Sequence, residues 1–277
     1  MKTNYLLKLL LGTIILYLLN FLYDIIFSSN PTLISIDILW NMLSSLFVVV
    51  ILGFYVSYST LRGIGLSLAV FLIYFIIGCF NILIEAYIFN VTDRTVTINE
   101  ILQGLIIAFL FAPIFVYIFK KWDGHATTLC FNSRSMFVWI WRIFLGVFLY
   151  LIFYLTAGII LQSVYPGLMD FYKDKIPPFD VMIFTQFPRG ILFAFIAILI
   201  LRTLNLSLLK KAVFVGLVFS VLGAIAPLIP PNELMPSNIR IVHGIEVGIS
   251  NFVYGLVLSY LLAQKPENKK VNVANSA

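Results

Sequence analysis

Charge is what this sequence has least of. Asp, Glu, Lys and Arg make up 11% of its 277 residues, 61% are hydrophobic, and the mean hydropathy is +1.04. A soluble domain of this size needs a charged surface, so that class is excluded. Histidine and cysteine occur twice each. Cys79 falls in an apolar run and Cys130 in a loop, which excludes a disulfide framework and leaves few soft ligands for a metal. Alternating ten-residue strand patterns are absent, ruling out a membrane β-barrel. No Gly-x-Ser-x-Gly, P-loop or Gly-x-Gly-x-x-Gly motif stands in a suitable context. There is no low-complexity segment, and no loop is long enough to fold by itself.

What remains are long apolar runs separated by short polar breaks. About 20 apolar residues cross a bilayer as a helix, so the chain reads as all-α, a polytopic helical membrane bundle of about eight transmembrane helices. Hydropathy places the spans at Tyr5–Phe27, Ile36–Tyr58, Ile64–Phe89, Ile101–Phe119, Met136–Tyr165, Val181–Leu201, Ala212–Ile229 and Ile239–Leu262. One membrane domain is expected over residues 1–264, followed by a short cytoplasmic tail over 265–277 that is expected to be disordered. Lys2 and Lys8 front the first span like a signal peptide, but its apolar run is too long and no Ala-x-Ala-like site follows. An uncleaved first span is expected.

Basic residues set the orientation. Lys2, Lys8, Arg62, Lys120, Lys121, Arg134, Arg202, Lys210, Lys211, Lys265, Lys269 and Lys270 fall on one side. Only Arg94, Lys173, Lys175 and Arg240 fall on the other, with Asp37, Asp93, Glu100, Asp170, Asp174, Asp180 and Glu233. Both termini are therefore expected in the cytoplasm. The net charge of +6 is a topology signal and not a nucleic-acid footprint. Lys120-Lys121 and Lys210-Lys211 read as solvated flanks, with contact to anionic lipid as the alternative.

Ionisable residues at membrane depth are costly and mark functional sites. Glu85 lies about one turn from the outer end of the third span. Gln186, Pro188 and Arg189 occupy the outer half of the sixth, and Arg240, His243 and Glu246 the first two turns of the eighth, followed by Asn251. His243 and Glu246, three residues apart, share a helix face. These residues form the candidate site, on the expectation that the three spans converge. Pro188 leaves two readings open. The sixth span breaks there, baring N–H groups beside a guanidinium that would hold an anion, or it continues with a kink and Arg189 pairs with Glu85 or Glu246. Pro113 and Pro227 predict kinks in the fourth and seventh spans, and Arg142 is placed to snorkel toward the cytoplasmic headgroups. His-x-x-Glu has the spacing of a zinc site, but Val247 stands where a second histidine would be needed, and His125 lies on the opposite side. No metal and no cofactor is expected. The paired adjacent glutamates of the prenyl-protein proteases are also missing. Arg62-Gly63 before Glu85 and Arg189-Gly190 before Glu246 hint at a duplication, but the two arginines enter from opposite sides and the spacings differ, so no simple repeat is expected.

The string Gln186-Phe-Pro-Arg189-Gly190, then Pro230-Pro-Asn232-Glu-Leu-Met-Pro236, Arg240, His243, Glu246 and Ser250-Asn251-Phe252, together with Arg62-Gly63, Glu85 and Phe89, resembles a group of bacterial multi-pass membrane proteins that has no assigned activity. The resemblance implies a bacterial inner-membrane location and nothing about chemistry. The leading functional expectation is a transporter-like or ligand-binding bundle with a polar pocket near its outer side. It would take a small anionic or proton-coupled solute, with membrane lipids as its other partners. The alternatives are an intramembrane enzyme of hydrolase type acting on a lipid-like substrate, and an accessory or sensor subunit.

Overall fold

The computed structural model describes residues 2–27, 36–89, 93–127, 129, 131, 133–165, 167, 177–231 and 235–264. Cys130, Asp170, Lys173, Asp174, Lys175, Glu233 and the tail 265–277 lie outside the described residues. Eight helices are long and apolar enough to cross a membrane. They are α1 (Lys2–Phe27), α2 (Ile36–Tyr58), α3 (Gly63–Ile88), α4 (Arg94–Ile118), α5 (Met136–Val164), α6 (Phe179–Thr203), α7 (Leu208–Leu228) and α8 (Ser237–Leu262). The chain is an integral membrane protein of the multi-pass helical class.

Local chemistry sets several helix starts. Asp93 caps α4, accepting from Thr95 N at 2.7 Å, and Ser135 caps α5, accepting from Val138 N at 3.4 Å. Pro178 and Pro236, which have no N–H to satisfy, precede α6 and α8. Two starts differ most from the hydropathy reading. α4 begins at Arg94, not near Ile101, because the Asp93 cap nucleates a polar first turn that hydropathy excludes. α7 begins at Leu208, four residues before Ala212, and takes Lys210 and Lys211 into the helix. The helix α6 runs unbroken through Pro188, so the broken-span reading is corrected. Arg142 donates to the Leu261 carbonyl near the end of α8.

The bundle is a repeat of two four-helix halves. α3 has thirteen α-helical residues, Gly63–Phe75, then a five-residue π-helical segment, Ile76–Phe80. α7 has thirteen, Leu208–Ser220, then a π-helical segment of five, Val221–Ile225. Contacts repeat in the same way. α1 packs on α2 and α4, and α3 on α4; correspondingly, α5 packs on α6 and α8, and α7 on α8. Lys8 in α1 donates to the Phe119 carbonyl after α4 at 3.3 Å, matching Arg142 of α5 on Leu261.

Reciprocal contacts locate an approximate twofold axis along the helices. At the basic end Ser59 and Leu204 form an antiparallel bridge, with Thr60 N donating to Thr203 O at 2.8 Å and Asn205 N to Tyr58 O at 3.2 Å. Deeper in the bundle the two π segments touch. A Cβ added at Gly78 would lie 3.8 Å from Leu222 O, and one at Gly223 would lie 3.9 Å from Ile77 O. Thr60 and Asn205, Gly63 and Leu208, and Gly78 and Gly223 are all separated by the same number of residues, so the register holds from the linkers through the π turns. The expectation of no simple repeat is thereby corrected. The Arg-Gly strings do not carry the duplication; the backbone spacing does.

Pro227 accounts for one π segment, since it cannot donate to the carbonyl of Gly223 and its ring crowds that oxygen. Nothing comparable follows the π segment of α3. α7 and α8 approach so closely that a Cβ at Gly255 would lie 2.8 Å from Gly216 Cα, a contact only glycine permits. The core of the second half is aromatic: Phe193, Phe219 and Tyr254 are fully or almost fully buried beside Tyr150.

Candidate functional site

The polar groups of α3 and α6 meet toward the acidic end of the bundle. Glu85 lies on the α-helical turn after the π segment of α3, and Arg189 one residue after Pro188 in α6. They form an ion pair through Arg189 Nη1 and Glu85 Oε2. Arg189 Nη1 also donates to Gln186 Oε1 at 2.9 Å, and Gln186 Nε2 to Met182 O at 3.2 Å. Glu85 Oε1 accepts from the Tyr154 hydroxyl at 2.9 Å, and the Arg189 guanidinium lies 5.7 Å from the centre of the Tyr150 ring. The burial is unequal: the Arg189 side chain is 8% exposed and that of Glu85 25%. Arg189 Nε is buried with no hydrogen-bond partner among the described residues. A cation taken this far out of water needs several compensating groups, and here a carboxylate, an amide and a π face provide them.

This cluster spans the junction of the two halves. Glu85 belongs to the first, while Gln186, Arg189, Tyr150 and Tyr154 belong to the second. At the symmetry-related junction Ser44 stands in the place of Arg189 and Pro230 in that of Glu85. There Ser44 Oγ donates to Ala226 O at 2.7 Å, a neutral contact. One junction is ionic and, among the described residues, its counterpart is not.

His243 and Glu246 form a separate pair on α8, Nδ1 to Oε2 at 3.3 Å. The two carboxylates do not touch, although both lie within electrostatic range of the Tyr150 hydroxyl. Arg240, 9% exposed, donates to the Met235 carbonyl at 3.5 Å. Asn251 faces the axis and donates to the Phe219 carbonyl at 3.4 Å, next to the π segment of α7. The structure thus joins Glu85, Gln186 and Arg189, holds His243 and Glu246 together as a second pair, and sets Arg240 and Asn251 apart. The sequence reading missed Tyr150 and Tyr154, whose helix was not among the three assigned to the site. Among the described residues, no group of three or more His, Cys, Asp or Glu side chains could hold a metal ion.

Fold and site together define a multi-pass membrane bundle of two like halves with a buried ion pair across one junction. No known protein-family model, no curated protein and no solved structure matches the chain.

Proposed function

We propose that the protein is a transporter-like bundle whose two halves move against each other as the Arg189–Glu85 pair is made and broken, in a bacterial inner membrane. The observation that carries this reading is the placement of a buried charge pair across the junction of two repeats, beside helices interrupted by π turns. Repeated halves around a central axis, with interrupted helices and ionisable groups at their interface, are the physical ingredients of alternating access. Protonation of Glu85, or an anionic group arriving at Arg189, would each replace the bond between the halves. A ligand that does so has differential affinity for the two arrangements, which is the condition for shifting their populations. His243 and Glu246 would supply a second titratable pair on the outer side.

Cysteines placed at Ile84 and Met182, in a background lacking Cys79 and Cys130, test the movement. A membrane-impermeant thiol reagent should label them faster when Glu85→Gln is added, or when an anionic solute from a metabolite panel is supplied to reconstituted vesicles. Equal labelling in every arm overturns the proposal.

A further inference from the structure

A second site lies at the basic end, far along the bundle from the ion pair. A cavity of about 280 Å³ opens between the ends of α6 and α8 and the start of α7. Two cations flank it, and both lie against the Phe131 ring: the Arg202 guanidinium is 5.8 Å from its centre and Lys211 Nζ 5.6 Å. Among the described residues, no carboxylate lines the cavity.

The state of Lys211 is informative. The sequence reading made it a solvated flank, whereas its residue exposure is 8%. Its ammonium donates to the Leu201 carbonyl at 2.8 Å, which uses one of three N–H groups. Arg202 is exposed and brings a five-donor fork to the same space. Ser207 and Leu208, where α7 begins, also line the cavity, and the Ser207 side chain makes no capping hydrogen bond. The positive end of a long helix therefore faces the cavity together with the two side-chain cations. The remaining wall is mostly apolar and includes Trp139.

We infer that this cavity binds the phosphate of an anionic amphiphile, with Arg202, Lys211 and the first turn of α7 as donors and the apolar wall taking the adjoining chain. A buried lysine and an exposed arginine, both with donors to spare and no carboxylate against them among the described residues, suit an oxyanion. A site at the level where headgroups lie, walled by leucine and tryptophan, suits one attached to hydrocarbon.

The test is the thermal stability of the purified full chain in a neutral detergent, titrated separately with short-chain phosphatidylglycerol, short-chain phosphatidylcholine and inorganic phosphate. Wild-type protein should show a saturable rise in melting temperature with phosphatidylglycerol and little with phosphatidylcholine. Arg202→Gln and Lys211→Gln should each weaken the response at least tenfold, and Lys120→Gln, a surface control, should not. A rise with inorganic phosphate that is lost in the same variants would identify a free phosphate as the ligand source; its absence would identify the lipid. Because Lys211→Gln disturbs a buried contact, Arg202→Gln decides if that variant does not fold. No rise with either phosphate source, or a response unchanged in Arg202→Gln, overturns the inference.

Discussion

Neutralising Glu85 should destabilise the fold more than neutralising Arg189. In Glu85→Gln the guanidinium stays behind on a side chain 8% exposed, with only Gln186, the new amide oxygen and the Tyr150 face for company. Leaving one partner of a buried pair uncompensated costs about 3–5 kcal/mol. In Arg189→Gln the carboxylate is left on a side chain 25% exposed, still bonded by Tyr154. Water reaches it, so the cost should be nearer that of a lost charged hydrogen bond, about 1.5–3 kcal/mol. The double variant removes both charges and should cost less than the sum, with a coupling energy of about 2 kcal/mol. Soluble chains somewhat shorter than this one lose about 2–4 °C per kcal/mol, so Glu85→Gln should melt roughly 6–20 °C lower. Reversible unfolding of the four proteins in mixed detergent micelles gives the full cycle. Additive single costs, or Arg189→Gln as the more damaging change, would refute the assignment of Arg189 as the desolvated member.

Three further outcomes are expected. Gly255→Ala inserts a methyl group 2.8 Å from Gly216 Cα and should cost about 1–3 kcal/mol of overpacking, read in the same unfolding assay. Asp93 accepts from the backbone N–H of Thr95, which holds its carboxyl below the usual range, with the Thr95 side chain and the Val96 N–H adding to it. The cap therefore contributes above about pH 4 and is lost as pH falls through the lowered folded value, so Asp93→Ala should melt below wild type at pH 7 and converge with it in acid. Reporter fusions after Gln264 and within 120–134 should report the cytoplasm, and one within 165–180 the outside; a cytoplasmic signal from the last would reverse the orientation.

The eight helices were legible in the sequence because hydropathy depends on composition alone. Their ends were less so: Asp93 starts α4 with a polar turn that a hydropathy window discards. The Arg189–Glu85 pair was one of two readings of Pro188, since proline removes a hydrogen bond without stating whether the helix survives it. Tyr150 and Tyr154 gave no signal, because two hydroxyls among 14 tyrosines in apolar runs look like core or interface side chains. The repeat was hidden for a different reason. It is recorded in the spacing of linkers and π turns, while the side chains at matched positions have diverged: Ser44 against Arg189 and Pro230 against Glu85. Pro227 could have announced the π turn of α7, but only a repeat already known would have pointed to the one in α3.

The unequal junctions carry a mechanical consequence. Two halves joined through identical contacts on both sides of an axis would open either way with the same cost. Here the Ser44–Ala226 side holds a neutral contact whose strength does not depend on a proton, so it can serve as a hinge. The Glu85–Arg189 side holds a bond that one proton or one anion can undo, which makes it a latch. If the halves move as proposed, the molecule has a single preferred direction of opening, built from a symmetric frame by changing a few side chains on one side only.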